Sequence, residues 1–218
     1  PTAPLAAGSN KLLLNYTNAG IYDAAAKNVL ETVGNAQVST TQAKFGTTSM
    51  YFDGTGDQLL MPASQNFEFG TGNHTVECWV YLTATTGSII NYSNGQSTNS
   101  NFAWEIYQSS SSGIQYSIIE GGTVYTASST GFSINAWNHV AGVRNGNTLT
   151  IYVNGTAGGT TATVTGVSVS VRSGVTLKVS GYNNATGMIT GYVDDLRISK
   201  LARYTANFTP ATAAFPIQ

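Results

Sequence analysis

The sequence predicts an all-β fold, a two-layer antiparallel β-sandwich, and three observations carry that prediction. Apolar and polar residues alternate with period two in about a dozen short runs, the spacing that sends successive side chains to opposite faces of a strand. Clusters of Gly, Asn and Asp separate the runs as turns do. Only 9% of the 218 residues are charged and 24 are glycine. Ser, Thr, Asn and Gln hold the polar positions instead, a composition suited to sheet and turn rather than helix.

The elements follow in order. Residues 11–16 read as an early strand, and strands over 49–52 and 58–61 flank the turn Asp53-Gly54-Thr55-Gly56-Asp57. In the run 74–82, Val76, Cys78, Val80 and Leu82 share one face, with Glu77, Trp79 and Tyr81 on the other. Further strands fit 88–92, 102–108, 114–120 and 123–127. The clearest hairpin joins 137–144 to 148–154 through Asn145-Gly146-Asn147, since Asn-Gly supplies the positive φ that tight hairpin turns require. Asn154-Gly155 closes the second of these strands in the same way. Strands over 164–171, 175–180 and 189–199 complete the set. Only 24–31 and 199–204 have the composition for a helical turn.

Composition excludes several functions. Nine Lys and Arg against ten Asp and Glu leave no basic footprint for nucleic acid or an anionic membrane. With 41% hydrophobic and 11% aromatic residues, the chain has enough apolar surface for a sizeable core. The single cysteine, Cys78, forbids an internal disulfide, and its apolar face marks it as an inert core thiol. No signal peptide or membrane-spanning run is evident. The Pro- and Ala-rich stretches 1–9 and 209–218 read as linkers around one domain at 10–208, as if cut from a larger modular chain.

Five segments then occur in a familiar order: Ser49-Met50-Tyr51-Phe52-Asp53-Gly54; Thr75-Val76-Glu77-Cys78-Trp79-Val80-Tyr81; Trp137-Asn138-His139-Val140-Ala141; Leu149-Thr150-Ile151-Tyr152-Val153-Asn154-Gly155; and Gly191-Tyr192-Val193-Asp194-Asp195-Leu196-Arg197-Ile198. The series resembles a laminin-G-like domain of the concanavalin A-like lectin/glucanase superfamily, over nearly the whole chain. The closing Ala202-Arg203-Tyr204-Thr205-Ala206-Asn207-Phe208-Thr209-Pro210 is similar to the version found in virion proteins of tailed bacteriophages. The resemblance implies a concanavalin A-like jelly roll of two curved sheets. It also implies an extracellular or virion-surface module, within a larger multimeric assembly, that binds host-surface glycans or serves as a structural part.

Catalysis needs groups this sequence does not cluster. Glycosidases use two carboxylates about 5–9.5 Å apart, and the superfamily's hydrolases set their acids close together on one strand. Here Glu77 and Glu105 are isolated, able to meet only if their strands are neighbours. Asp194 and Asp195 point to opposite faces if their strand is regular. His74 and His139 have no nucleophile beside them, and no serine lies in a nucleophile elbow. The expectation is a non-enzyme.

Sugar binding needs aromatic faces and amide or hydroxyl groups. Trp79 and Tyr81 offer a stacking platform, with Trp104 and Tyr107 as neighbours. Tyr92, Asn94, Asn99 and Asn101 read as one long loop, and Tyr182 and Asn183 as another. Repetition of weak sites in a multimer raises effective affinity. The alternative is a structural or decoration module that contacts other virion proteins and binds no sugar. One structural calcium ion is implied by the resemblance. Asp194, on the face of Leu196 and Ile198, would be its ligand, with Asp53, Gly54 and Asp57 beside it. Equally, the Asp194 carboxylate can cap backbone amides or pair with Arg197 or Arg203.

Overall fold

A computed structural model describes residues 10–14, 28–85, 87–94, 102–169, 174–182 and 186–216. Among them the strands are β1 (Asn10–Leu14), β2 (Glu31–Val33), β3 (Gln37–Ser39), β4 (Ser49–Asp53), β5 (Gln58–Met61), β6 (His74–Leu82), β7 (Gly87–Ser93) and β8 (Phe102–Gln108). They continue as β9 (Ile114–Glu120), β10 (Thr123–Ser129), β11 (Trp137–Asn145), β12 (Thr148–Val153), β13 (Thr156–Ala157), β14 (Ala162–Thr163), β15 (Thr176–Val179) and β16 (Thr190–Ser199).

Two antiparallel sheets form a sandwich. The nine-stranded sheet runs β13-β12-β11-β6-β16-β4-β3, with β1 on the edge of β16 and β14 on the edge of β12. The seven-stranded sheet runs β10-β9-β8-β7-β15-β5-β2. Alternation sorts the side chains as the sequence predicts: Val76, Cys78, Val80 and Leu82 of β6 are fully buried in the main core. Met50, Phe52, Val140, Ile151 and Val193 join them from the same sheet, and Leu59, Tyr92, Trp104, Ile106, Tyr116 and Leu177 from the other. Gly142 makes room for one of the largest: a Cβ there would run into the Tyr116 ring. The imidazole of His74 is fully buried, stacked on Phe69 with ring centroids 4.0 Å apart. Its Nδ1 lies 3.1 Å from the Gly72 carbonyl and its Nε2 2.7 Å from the Tyr116 hydroxyl. Burial pulls its pKa down to about 3, so it stays neutral.

Three expectations are corrected. No helix forms over 28–31 or 199–204, and residues 24–27 lie outside the described set; the helical element among the described residues is the 3-10 turn Gln65–Phe67. The expected strand at 164–171 is also absent over its described part. Gly166 at φ 71° bends it, and only Val169 bridges to Gly70. Two of its carbonyls, those of Val164 and Val167, go to a side chain. The buried Arg144 guanidinium donates to Val167 O at 2.6 Å and Val164 O at 3.0 Å, and to Gly146 O at 3.1 Å. The third concerns β16. Asp195 has φ 48°, and two residues of β16 oppose one of β6 between the pairs Asp194–Trp79 and Arg197–Glu77. This bulge places Asp194 on the outer face with Trp79, away from Leu196 and Ile198 rather than alongside them.

The segment after β16, including the stretch read as the start of a linker, lies across the outer face of the nine-stranded sheet. Tyr204 and Phe208 stack with centroids 3.6 Å apart and pack with Ala141, Val143 and Tyr152. Phe208 N donates to Gly155 O at 2.9 Å. Phe215, 2% exposed, packs with Trp79, and its N–H donates to Asp195 Oδ2 at 2.6 Å.

Candidate functional site

Register on the nine-stranded sheet aligns four aromatic residues. Tyr51 of β4 pairs with Tyr192 of β16, Tyr192 with Tyr81 of β6, and Tyr81 with Trp137 of β11. Directly opposed residues share a face, so the four rings form a row on the outer surface. Successive centroids are 5.0, 6.1 and 5.8 Å apart, and all four residues are half-buried.

Two residues before Tyr81 on the same strand, Trp79 occupies the next row and is 95% buried, at 5% exposure. Phe45 meets it edge-on at 5.8 Å, and the Lys44 ammonium lies 3.9 Å from the centre of its ring. Between these groups, Trp137, Asn154 and tail residues 210–212 opens a cleft of about 560 Å³. The indole Nε1–H of Trp79 is buried with no hydrogen-bond partner among the described residues, which is costly unless something accepts it.

Beneath the tail lies a charged cluster. The fully buried Glu77 carboxylate is 2.7 Å from Arg197 Nη2 and 3.2 Å from His139 Nε2, and it accepts the Tyr204 hydroxyl at 2.7 Å. Burial opposes its ionisation, but His139, Arg197 and Tyr204 outweigh that and hold its pKa below the usual range. The Arg197 guanidinium is capped by the Phe215 ring at 3.8 Å. Burial pushes Asp194 to about 6 and Asp195 to about 7 against the amides that hydrogen-bond them.

The opposite sheet carries a polar row. Glu31, Leu60, Lys178, Asn91, Glu105, Ser117 and Thr126 are matched strand to strand from β2 to β10. Each of the central members is flanked in sequence by core residues, as Glu105 is by Trp104 and Ile106; a charged or amide residue inside such an apolar run was the available signal. Neighbouring groups satisfy its central members. Lys178 Nζ donates to Ser93 O at 2.7 Å and Thr176 Oγ1 at 2.6 Å; Asn91 Nδ2 donates to Gly181 O at 2.7 Å and Ser88 Oγ at 2.8 Å. Tyr182 OH donates to Glu105 Oε2 at 2.7 Å. Burial raises Glu105 to about 7 and lowers Lys178 to about 8.

Of the residues expected to contact sugar, Trp79 and Tyr81 come together with Trp137 and Lys44, which the sequence reading did not single out. Tyr107 and Tyr182 stack on one another, centroids 6.5 Å apart, on the other sheet. Tyr92 is corrected: it belongs to β7, not to a loop, and its ring is fully buried in the core. Trp104 is likewise a core residue, its Nε1 donating to Phe67 O at 3.0 Å. Asn94 is exposed after β7. Asn99, Asn101 and Asn183 lie outside the described residues.

Glu77 and Glu105 do not meet: they belong to different sheets and face away from the shared core. Glu31, the other carboxylate of the polar row, is four strands from Glu105, about 19 Å at normal strand spacing. Neither separation suits acid-pair hydrolysis.

The expected calcium ligands do not form one site. Asp53 pairs with Thr190, four residues along β16 from Asp194, or about 13 Å, whereas calcium ligands sit 2.3–2.6 Å from one ion. The carboxylates also face N–H donors instead of fellow oxygens. Asp194 accepts from Lys44 N at 2.9 Å, Phe45 N at 3.1 Å and Asp195 N at 2.9 Å. Asp57 accepts from Asn35 N at 2.8 Å and Asp53 N at 3.0 Å. Gly54 serves the turn through its φ of 90°. This donor set does not fit calcium.

A two-sheet antiparallel jelly roll is the architecture that the five sequence segments imply, and the family follows. The laminin-G-type profile of the concanavalin A-like lectin/glucanases superfamily matches residues 52–207, and the chain belongs to that superfamily. No curated protein sequence matches it. Among solved structures, it is similar to the binding domain of Paraclostridial Mosquitocidal Protein 1, at 12% identity and TM-score 0.73 over 90% of this chain and 50% of that one. It is also similar to the botulinum neurotoxin serotype D ligand binding domain in complex with N-acetylneuraminic acid, at 15% identity and TM-score 0.69, over 90% of this chain and 48% of that one. A third is the binding domain of botulinum neurotoxin DC in complex with rat synaptotagmin II, at 16% identity and TM-score 0.65, over 90% and 49%. The chain thus spans about half the length of these structures, and at such identities the likeness is one of fold.

Proposed function

We propose that the domain is a non-catalytic glycan-binding module, with the Tyr51–Tyr192–Tyr81–Trp137 row and the adjoining Trp79 cleft as its binding face. The observation that carries this reading is the cleft itself: the half-exposed Trp137 indole at the end of the aromatic row for the apolar face of a pyranose, beside the Lys44 ammonium. Membership of a lectin/glucanase superfamily agrees with it. So do the ligands named for the neurotoxin binding domains, one a sugar and one a protein. The setting we propose is the exposed surface of a tailed-phage virion, in attachment to host polysaccharide, on the resemblance of Ala202–Pro210 to modules of that kind. No helix among the described residues is long and apolar enough to cross a membrane.

The test is a glycan array probed with the protein in multivalent form, since single weak sites gain from linkage. Binding that disappears in Tyr81→Ala and Trp137→Ala supports the reading. A second reading, a structural module contacting other virion proteins, is favoured by the same half-exposed aromatic row, because Tyr and Trp are enriched at protein interfaces. Absence of binding to every glycan, with capture of a virion protein dependent on Tyr81 and Trp137, would replace the first reading with the second.

A further inference from the structure

We propose that the Trp79 cleft selects acidic glycans, those bearing a carboxylate on the sugar ring, with the Lys44 ammonium as the group that reads the charge. The proposal rests on the glycan-binding reading above and specifies the ligand class.

Among the described residues, Lys44 is the charged residue of the cleft lining, and no carboxylate lines it. Lys44 is half-buried and makes no ion pair among the described residues; the ion pairs found there all involve Glu77. The carboxylates in the surrounding structure are already committed. Asp194 is taken by the backbone amides of Lys44 and Phe45, Asp195 by the amide of Phe215, and Glu77 by Arg197, His139 and Tyr204. None of them forms an ion pair with Lys44.

The remaining polar side chains of the lining are equally informative. Asn154 is occupied, its Oδ1 accepting from His139 N at 2.9 Å and its Nδ2 donating to Asn138 Oδ1 at 3.3 Å. Trp79 contributes a buried indole N–H without an acceptor among the described residues. Beside the Lys44 ammonium and the Trp79 indole N–H, the lining carries the Trp137 indole N–H and the Thr212 hydroxyl, so donors outnumber acceptors among these side chains. A ligand that satisfies them must bring acceptors, and a carboxylate is the acceptor-richest group a sugar carries. Neutral sugars offer hydroxyls, each of which brings an O–H donor along with its acceptor lone pairs, a poorer match to a lining rich in donors. The Lys44 ammonium over the Trp79 face also has its position fixed by a cation–π contact, so binding requires little reordering of a flexible side chain.

The experiment pairs uronic-acid polysaccharides with their carboxyl-reduced counterparts, which keep backbone and linkage and lose only the charge. The multivalent protein is titrated with each pair, following tryptophan fluorescence and retention on the immobilised polysaccharide. Acidic members are expected to bind about tenfold more tightly than the reduced ones, with the difference shrinking as salt rises from 50 to 500 mM. Lys44→Met keeps the aliphatic cover on Trp79 and is expected to abolish the preference without shifting the thermal midpoint. Trp79→Phe, which removes the N–H but keeps a ring, is expected to weaken both members of a pair. Equal binding of acidic and reduced members, or a preference that survives in Lys44→Met, overturns the acidic-glycan assignment while glycan binding stands. No binding to any polysaccharide of the panel overturns both.

Discussion

Glu77 and Arg197 face one another across β6 and β16, and their side chains meet with Arg197 Nε 2.8 Å from Glu77 Oε1. The pair is the link between sheet and tail: Glu77 also holds the Tyr204 hydroxyl, and Arg197 lies under the Phe215 ring. Removing one partner of a buried ion pair strands the other's charge, at a cost of about 3–5 kcal/mol. Glu77→Gln is expected to lose that much in urea denaturation. Because the Glu77 pKa is lowered by folding, its contribution is present above the unfolded carboxylate range and is lost as pH falls through the folded value. A variant as stable as the parent at pH 7 would show that the pair is not what secures the tail.

Glu105 has the opposite pH signature. Its folded pKa of about 7 lies above the reference of 4.5, so the folded state holds the proton more tightly. The stability this confers is complete below about 4.5 and is lost as pH rises to about 7. Glu105→Gln, which preserves an acceptor for Tyr182, is expected to remove that slope. At pH 8 it should be more stable than the parent by on the order of 3 kcal/mol. Asp194 and Asp195, also raised, keep their share in both proteins, while the neutral His74 opposes them below 6.5; the parent-minus-variant difference isolates Glu105. Parallel stability–pH curves would refute the assignment.

The tail is expected to behave as part of the fold. Phe215→Ala uncovers Trp79 and the Arg197 guanidinium, and truncating a buried phenylalanine costs about 3 kcal/mol or more. Tryptophan emission should also shift red as Trp79 gains solvent. An unchanged midpoint and spectrum would mean the tail is dispensable.

Calcium should not matter to stability. With Asp194 and Asp57 facing backbone amides, melting curves in millimolar calcium and in chelator are expected to coincide. A midpoint that rises with calcium concentration would reveal a site elsewhere in the chain.

Arg144→Met is expected to cost several kcal/mol, because the carbonyls of Val167 and Gly146 lose the Arg144 donor and that of Val164 keeps only the 3.2 Å bond from Val167 N. Lysine at that position, with a single ammonium in place of a planar fork, should recover only part of the loss. A neutral Arg144→Met would mean that other donors serve those carbonyls.

Strands of four residues or more were legible because alternation needs about that length to declare itself: β5, β6, β8 and β9 have the bounds their pattern implies. The two- and three-residue strands β2, β3, β13 and β14 are too short to show a period, and their pairing is imposed by the hairpins around them. The 164–171 run misled because its valines are apolar for core packing, while its hydrogen bonds were supplied by Arg144, remote in sequence. At the site, Trp79 and Tyr81 were readable as outward-facing neighbours on one strand. Their partners were not: which of the many tyrosines oppose Tyr81 depends on register between β4, β6, β11 and β16. The bulge at Asp195 was hidden for a different reason, since a single positive φ at a non-glycine residue leaves no pattern in the neighbouring sequence.

The tail that crosses the outer sheet also defines a path for mechanical load. A pull applied beyond Phe215 first meets the Phe215–Asp195 hydrogen bond and the ring seated on Arg197, then tail residues 210–212, and further back the Phe208–Gly155 bond. β16, in the middle of the sheet, receives the force only after these give way. The first contacts to yield are thus those that shape one wall of the cleft, so tension at this end of the domain would be felt by its binding face before it is felt by its fold.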